Sequence, residues 1–367
     1  MTTPAVGSHS GAVSDAVAHA EAKLASFWSA PQGTGDAARV KVRASTLNYV
    51  VLCAPQDADA YREASERLSD THGGRTLLLT MSGRIAAWDL VPEIHAVCRI
   101  DGAEPVCYDR VDLTFGAVAA SRAASVVRAL ALPELPTVVE VAAGAPQPLI
   151  DTVAGKFDRL IVDSARMPVA SLARVVQRAT CPVADRAMVR TYAWRELTAR
   201  FFDDAAPALQ EIRRVELSRT ASGSSPAGGG GTQDPAPLFL GWLASRLGWT
   251  FVSREAARDA RGQPVELVVT EDPRVDAGPG QLTLLRLHTS LGGAPLDCSL
   301  ERIPGAAAAH WRLRGARTAD REHALGFKDE TWVAVKAIDA REGDAVTRAA
   351  LLAAAAWDAA RAGAVAQ

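Results

Sequence analysis

The stretch STLNYVVLCAPQDADAYREASERLSDTHGGRTLLLTM, residues 45–81, decides the fold class, because two apolar runs flank a segment of helical character. The runs at 45–53 and 75–81 are predicted strands, and Asp57–Leu68 is a predicted helix. A helix of this length between two strands returns the chain to the same edge of a sheet, so the strands are predicted to be parallel. The unit favours an α/β fold.

The flanking segments extend this pattern in both directions. An amphipathic helix is predicted from Ser14, and IHAVCRIDGAEPVCYDRVDLTFG, residues 94–116, is predicted to be an antiparallel hairpin. Further strands are predicted at PTVVEVAA, FDRLIVDSA and IRRVELS, with a helix at Val169–Arg178 between the last two. Parallel and antiparallel pairs together predict a mixed sheet.

A glycine-rich stretch divides the chain. TASGSSPAGGGGTQDPAP, residues 220–237, is too rich in Gly, Ser and Pro for a regular element and is predicted to be a flexible linker. The sequence thus predicts an N-terminal arm at 1–35, an α/β domain at 36–219 and a smaller α+β domain at 238–367. After a helix interrupted at Gly248, successive strand candidates, among them TWVAVKAI at 331–338, make that last domain mostly antiparallel. An alanine-rich helix ends it.

Composition and charge exclude several classes of protein. The chain has 367 residues, 48% hydrophobic and 22% charged, values typical of a globular protein. With a formal net charge of −2 and no Lys/Arg-rich block, we expect no nucleic-acid partner. The sequence has neither a secretory signal nor an apolar run of about 18 residues, so we expect no membrane partner and a cytoplasmic location.

The motifs of common catalytic and cofactor sites are missing from the sequence. No G-x-G-x-x-G follows a predicted strand, and the phosphate-loop, H-E-x-x-H and G-x-S-x-G motifs are absent. We therefore expect no catalytic residues, no cofactor and no metal, and a protein that is not an enzyme.

The five cysteines are predicted to be mostly reduced thiols, since an odd, scattered set does not resemble a disulfide framework. His95, Cys98 and Cys107 approach the ligand count of a zinc site, but His95 and Cys98 would face opposite sides of a strand, which disfavours zinc. A turn at Gly102 and Ala103 would place Cys98 opposite Cys107, making them a candidate redox pair. The alternative is two small, half-buried apolar residues.

A candidate polar site lies at the end of a predicted strand. Asp163 and Ser164 follow the apolar run LIV, the position at which α/β sheets often carry functional side chains. The alternative, which the residue types favour, is an ordinary turn or helix cap. In TYAWRELTARFFDD, residues 191–204, a helix with one apolar face explains most of the composition. Arg195 is not explained by that face, and we add it to the candidate polar site.

The order of segments resembles one family. RASTLNYVVLC, GGRTLLL, VCYDRVDLTFG, LPTVVEV, FDRLIVDSA, TYAWRELTARFFDD, IRRVEL and LFLGWLASRLGW together are similar to the glucose-6-phosphate dehydrogenase assembly protein family, OpcA, from about Arg43 to Trp249. The resemblance implies a non-catalytic partner of glucose-6-phosphate dehydrogenase that promotes its active oligomer and supports the oxidative pentose phosphate pathway and NADPH supply. In photosynthetic relatives the family is linked to thioredoxin control, so thioredoxin is a further candidate partner. The hypothesis that Cys98 and Cys107 serve this control here rests on their placement in the predicted hairpin.

Two functional hypotheses follow. In the first, the protein is an allosteric activator of the dehydrogenase, with Trp242, Trp249 and Trp311 as candidate interface anchors, because aromatic residues often dominate interface energetics. In the second, it is a sensor or enzyme that binds a sugar phosphate or a nucleotide near Asp163. A scaffold for another complex is a third interpretation.

Overall fold

The computed structural model describes residues 9–29, 42–43, 45–101, 104–221, 234–273, 280–326, 329–340 and 344–363. Their contacts divide into two compact units. The first holds the described residues up to Val162 together with Arg178–Pro182, and the second holds Asp163–Gln177 and the described residues from Val183 onward. The division falls earlier than the glycine-rich stretch at which the sequence predicts a domain boundary. Of that predicted linker, residues 222–233 lie outside the described residues.

The first unit is built on a mixed sheet. Its strands are β1 (Val42–Arg43), β2 (Leu47–Leu52), β3 (Gly74–Met81), β4 (Leu90–Asp101), β5 (Glu104–Phe115), β6 (Thr137–Val141) and β7 (Arg159–Val162). They lie in the order β1-β5-β3-β2-β6-β7, and β4 pairs with β5. The pairs along that order are parallel and the β4–β5 hairpin is antiparallel, which confirms the mixed α/β class.

The predicted parallel strand-helix-strand segment at residues 45–81 is confirmed. Helix α2 (Ala58–Leu68) connects β2 to β3, and these strands pair in parallel from Leu47 opposite Gly74 to Leu52 opposite Leu79. Every residue of β2 is buried, as expected for an inner strand covered on both faces. The approach of β2 to β3 needs a glycine, since a Cβ at Gly74 would lie 1.9 Å from the Leu47 carbonyl oxygen.

Three further helices belong to this unit: α1 (His9–Ser29), α3 (Ala123–Leu130) and α4 (Gln147–Val153). The predicted start of α1 at Ser14 is wrong, because the described helix begins at His9, five residues earlier, and Ser14 lies within it. The Trp28 indole donates a hydrogen bond of 2.9 Å to Asp109 of β5, so α1 is attached to the sheet. The sequence had assigned it to a separate arm.

The second unit begins with helices and contains a second sheet. Its helices are α5 (Val169–Arg178), α6 (Arg186–Arg190), α7 (Tyr192–Arg200), α8 (Ala236–Leu247), α9 (Glu330–Asp339) and α10 (Asp344–Gly363). Its strands are β8 (Val183–Asp185), β9 (Arg214–Arg219), β10 (Thr250–Phe251), β11 (Ala256–Arg258), β12 (Pro264–Glu271), β13 (Leu282–Leu291), β14 (Ala294–Arg302), β15 (Ala308–Gly315) and β16 (Ala319–Ala324). No helix among the described residues combines the length and apolar character needed to cross a bilayer.

The second sheet has the order β10-β11-β12-β9-β13-β14-β15-β16. The β12–β9 pair is parallel and the other pairs are antiparallel, so this sheet is also mixed. Strand β9 lies inside it, between β12 and β13, although the sequence places this strand in the N-terminal domain. The order of the strands along the chain therefore differs from their order in this sheet.

Two predictions for the second unit need correction. The segment TWVAVKAI is not a strand: it forms most of α9, and the Asp329 carboxylate caps that helix by accepting a 2.7 Å hydrogen bond from the Trp332 amide. Helix α8 is not interrupted but ends at Leu247, since Gly248 adopts the left-handed conformation (φ 69°) that closes a helix.

Candidate functional site

Asp163, the first residue of the predicted polar site, lies in a network of ion pairs. The Arg190 guanidinium of α6 donates to both of its carboxylate oxygens at 2.9 and 2.8 Å. The same guanidinium donates to both carboxylate oxygens of Glu330, the first residue of α9, at 3.0 and 2.8 Å. Such paired N–H···O contacts are the strongest geometry available to an arginine.

Two more arginines complete this network. Arg166 Nε lies 3.5 Å from Asp163, and its Nη2 lies 3.3 Å from Glu330, while Arg186 Nη1 lies 3.5 Å from Glu330. We call Asp163, Arg166, Arg186, Arg190 and Glu330 the arginine cluster. Although burial alone would raise the pKa of Asp163 and of Glu330, their arginine partners, Arg190 foremost, hold both pKa values below the usual range. Burial lowers the pKa of Arg190, but Asp163 and Glu330 more than compensate and raise it.

Asp185, at the start of α6, is a second buried carboxylate, with 1% of its surface exposed. Its Oδ1 accepts hydrogen bonds from the backbone amides of Ala187 (2.8 Å) and Ser164 (3.2 Å), so it caps the helix. Its buried Oδ2 has no hydrogen-bond partner among the described residues. Burial, and then the charge of Asp163, raises the pKa of Asp185 to about 6.

Arg195 of α7 has a different environment from Arg190. Its Nη2 donates to the Met188 carbonyl at 2.7 Å, and its buried Nε has no partner among the described residues. The guanidinium carbon lies 5.8 Å from the ring centre of Tyr192 and 5.8 Å from that of Trp242. Burial lowers the pKa of Arg195 to about 10, against the smaller opposing effects of Asp185 and Tyr192. It is a half-buried cation with little counter-charge.

Asp185 and Arg195 both line a cavity of about 640 Å³. Its wall is mainly apolar, and the exposed rings of Tyr192 and Trp332 form part of it. The complete described lining is Val183, Ala184, Asp185, Met188, Val189, Tyr192, Arg195, Trp332, Lys336, Ala340, Val346 and Thr347. We call it the Arg195 cavity. The volume and the mixture of apolar wall and few polar groups are those of a small-molecule pocket.

The structure thus divides the predicted polar site. Asp163 is neutralised in the arginine cluster, the Ser164 amide supports Asp185, and Arg195 belongs to the cavity. Sequence reasoning missed Arg186 and Arg190, although their i, i+4 spacing after a short strand was a usable signal. It also missed Glu330, whose partner Arg190 is 140 residues away in the chain.

The candidate redox pair is joined in the structure. Cys98 of β4 lies directly opposite Cys107 of β5, and their sulfur atoms form a disulfide. Cys98 is half-buried and Cys107 is buried. The predicted turn residues Gly102 and Ala103 lie outside the described residues. Both sulfurs are therefore committed to each other, which removes them from the zinc set with His95.

A second set of candidate metal ligands lies on the same β4–β5 hairpin. Atoms of Glu93, His95 and Asp112 lie within 4.8 Å of one another. However, the Asp112 carboxylate already accepts hydrogen bonds from Arg62 Nε (2.7 Å) and Arg110 Nε (3.0 Å). Two guanidinium groups on one carboxylate oppose the approach of a metal cation, so this geometry does not favour a metal site.

The candidate interface anchors lie in or against the hydrophobic core of the second unit. Trp249 and Trp311 are buried, with 8% and 6% of their surface exposed. Trp311 stacks on Phe201 at 4.7 Å between ring centres, and its indole donates to the Leu197 carbonyl at 3.0 Å. Trp242 is half-buried against that core, beside Phe239. Trp249 and Trp311 therefore stabilise the fold and do not present a surface to a partner.

Comparison with protein families finds two matches in chain order. Residues 65–177 match the model described as the glucose-6-phosphate dehydrogenase subunit N-terminal domain, and residues 181–351 match that of the C-terminal domain of the same subunit. The boundary between the two models lies near the division of the structure into its two units.

Curated relatives carry the name "Putative OxPP cycle protein OpcA". The protein of Nostoc punctiforme is 32% identical over 173 residues, which cover 44% of this chain and 35% of the relative. That of Synechocystis sp. is 31% identical over 275 residues, covering 65% of this chain and 56% of the relative. The chain thus spans about a third to somewhat over half of the length of these relatives.

Solved structures with a similar arrangement are distant in sequence. The 3-ketoreductase KijD10 from Actinomadura kijaniata has a TM-score of 0.43 at 14% identity, covering 87% of this chain and 98% of its own. A levoglucosan dehydrogenase has a TM-score of 0.43 at 11% identity with the same coverage.

Proposed function

Because the chain belongs to the OpcA family, whose domain models are named for a glucose-6-phosphate dehydrogenase subunit, we propose that it binds glucose-6-phosphate dehydrogenase and favours its active oligomer. The observation that carries the proposal is the match of both domain models, in order, over most of the chain. In this role the protein supports the oxidative pentose phosphate pathway and the supply of NADPH.

We propose that the action is non-catalytic. Asp163, the strand-end carboxylate of the predicted polar site, is paired on both oxygens with Arg190. A catalytic acid or base needs a pKa near the working pH, whereas these partners move the pKa of Asp163 down and away from it. The arrangement supports a structural task for this carboxylate.

Activation by binding has a thermodynamic requirement. A partner raises the population of an active oligomer only by binding that form more tightly than the inactive form. A preference of about 2.7 kcal/mol is enough for roughly a hundredfold shift in the equilibrium. The proposal therefore predicts that the effect on activity saturates with added protein and is largest at low dehydrogenase concentration.

The test mixes the purified chain with glucose-6-phosphate dehydrogenase and measures NADPH production and co-elution from a sizing column. We expect co-elution, a shift of the dehydrogenase to its larger form and a higher rate. Unchanged kinetics together with separate elution would reject the proposal.

Two exposed apolar residues allow the contact to be assigned to one unit. Trp88, in the first unit, has 45% of its surface exposed, and Val252, in the second, has 57%. We expect Trp88→Ala to weaken co-elution more than Val252→Ala, because truncating an exposed tryptophan at an interface removes far more contact area. The opposite order would assign the contact to the second unit.

We also propose the Cys98–Cys107 disulfide as the point at which a thioredoxin-type dithiol acts. A dithiol would supply two electrons and two protons, become a disulfide itself and leave two thiols on the hairpin. Cys98 is half-buried, so part of this residue is exposed to a reductant in solvent, which supports the proposal. Activation of the dehydrogenase that is identical for oxidised, reduced and Cys98→Ser protein would contradict this proposal.

A further inference from the structure

The Arg195 cavity contains two polar groups that the folded chain leaves incompletely bonded. Within hydrogen-bond distance, Nε of Arg195 has no acceptor and Oδ2 of Asp185 has no donor among the described residues. The Ser164 hydroxyl, which also has no partner there, lies close enough to Asp185 to offset part of the rise in its pKa. A buried polar atom without a partner is costly unless something else satisfies it. A bound molecule with one acidic group and one hydroxyl would satisfy both.

The charges that face the cavity favour an anion. Arg195 and Lys336 are the cations of its described lining, and Asp185 is its carboxylate. The neighbouring carboxylates Asp163 and Glu330 are paired within the arginine cluster. An arginine with free N–H groups is the usual protein ligand for a phosphate oxygen, and a flexible lysine at the rim adds a second positive charge.

The rings at the cavity favour a planar group on the same molecule. Tyr192 and Trp332 are exposed to 54% and 38%, large fractions for aromatic side chains that line a cavity. Exposed aromatic rings in a basic pocket bind nucleobases by stacking, which every base allows because each has a π face. A sugar phosphate would meet the polar groups but has no planar group to stack on these rings.

From these observations we infer that the Arg195 cavity binds a nucleotide, with the phosphate at Arg195 and Lys336, a ribose hydroxyl donating to Asp185 Oδ2, and the base against Tyr192 or Trp332. The volume of about 640 Å³ lies within the range of small-molecule sites. The inference concerns the isolated chain and does not depend on the dehydrogenase, so its failure leaves the proposed function intact.

The first experiment compares three probes by titration calorimetry on the full chain: AMP, adenosine and ribose 5-phosphate. Adenosine lacks the phosphate and ribose 5-phosphate lacks the base. We expect AMP to bind at least about tenfold more tightly than either fragment, since stacking and a charge-assisted contact are each worth one tenfold step or more. Absence of saturable AMP binding overturns the inference, as does equal affinity for AMP and for either fragment.

The second experiment assigns the phosphate to its residues. Arg195→Gln should weaken AMP about tenfold or more and leave the weak adenosine affinity unchanged, because adenosine carries no anion. Arg200→Gln, on the exposed end of the same helix and paired with Glu196, is the matched control and should leave AMP binding unchanged. Equal AMP affinity in Arg195→Gln and wild type overturns the assignment.

A third pair of variants keeps the test valid if Arg195→Gln folds poorly. Lys336 is exposed, so Lys336→Gln should fold normally and weaken AMP severalfold without changing adenosine affinity. Tyr192→Leu should weaken AMP and adenosine equally and leave ribose 5-phosphate unchanged. Full AMP affinity in both variants would overturn the inference.

Discussion

Arg190 and Arg195 lie five residues apart in the chain, on the consecutive helices α6 and α7, yet their surroundings are opposite. Arg190 donates to both oxygens of two carboxylates, whereas Arg195 donates to a single backbone carbonyl and keeps Nε unbonded. Burial lowers the pKa of both, but Asp163 and Glu330 reverse that effect at Arg190 only. The same residue type thus stabilises the fold at Arg190 and keeps an unbonded donor for a ligand at Arg195.

The difference comes from residues that are distant in the chain. Glu330, at the start of α9, provides Arg190 with its second carboxylate, and the same helix contributes Trp332 and Lys336 to the Arg195 cavity. Helix α9 therefore has two roles: Glu330 completes the arginine cluster, and Trp332 and Lys336 line the Arg195 cavity. Satisfied polar groups contribute to stability, and unsatisfied ones remain available for recognition.

Replacing each arginine by methionine, which keeps an unbranched apolar stem and removes the charge, tests this contrast directly. Arg190→Met should lower the free energy of unfolding by about 3–5 kcal/mol, because it leaves the buried carboxylate of Asp163 without its main partner and also removes the ion pair to the partly exposed Glu330. The measurement is urea unfolding followed by circular dichroism. Arg174→Met, at an exposed position of α5, is the control and should change stability by less than about 0.5 kcal/mol. A loss below about 1 kcal/mol for Arg190→Met would mean that Arg166 and Arg186 replace it.

Much of the architecture could be predicted from the sequence, because local periodicity of apolar residues indicates the type of each element. The parallel β2–α2–β3 unit, the β4–β5 hairpin and strand β9 all follow from apolar patterns and turn residues. Helix α9 was missed, since Thr, Val and Ile are frequent in TWVAVKAI and favour a strand. Its buried residues are nevertheless spaced as a helical face: Val333, Ala334, Ala337 and Ile338.

The candidate site was less accessible from the sequence. The sequence groups Asp163, Ser164 and Arg195 as one polar site, but their partition between a cluster and a cavity depends on Asp185 and Glu330. Asp185 is not among the site residues predicted from the sequence, and Glu330 lies 140 residues from its arginine partner. Because α9 was predicted as a strand, its contribution of an acid, a ring and a lysine could not be foreseen.

The two buried carboxylates allow a second test, through pH. Asp163 has a lowered pKa, so its contribution to stability is lost as the pH falls below its usual titration range. Asp185 has a pKa raised from 3.8 to about 6, so the folded state binds its proton more tightly than the unfolded state does. Its contribution is fully present below about pH 4 and is lost as the pH rises to 6.

Asp185→Asn should therefore gain stability relative to wild type as the pH rises from 4 to 7, by about 1–3 kcal/mol over that interval. Asparagine retains an oxygen that caps α6, so helix capping is preserved. Urea unfolding of both proteins at several pH values gives the difference, in which the shared effect of Asp163 cancels. A difference that does not change with pH would show that Asp185 titrates normally in the folded protein.

The smallest effect is expected at Arg195. Arg195→Met should change the free energy of unfolding by no more than about 1 kcal/mol in either direction, because the lost hydrogen bond to Met188 is offset by relief from burying a cation with little counter-charge. The same urea experiment that measures Arg190→Met gives this value. If Arg195→Met lowered the free energy of unfolding as much as Arg190→Met does, both arginines would be structural residues that stabilise the fold. A small loss, together with a marked drop in AMP affinity for the same variant, separates the residue that holds the structure from the one that recognises a ligand.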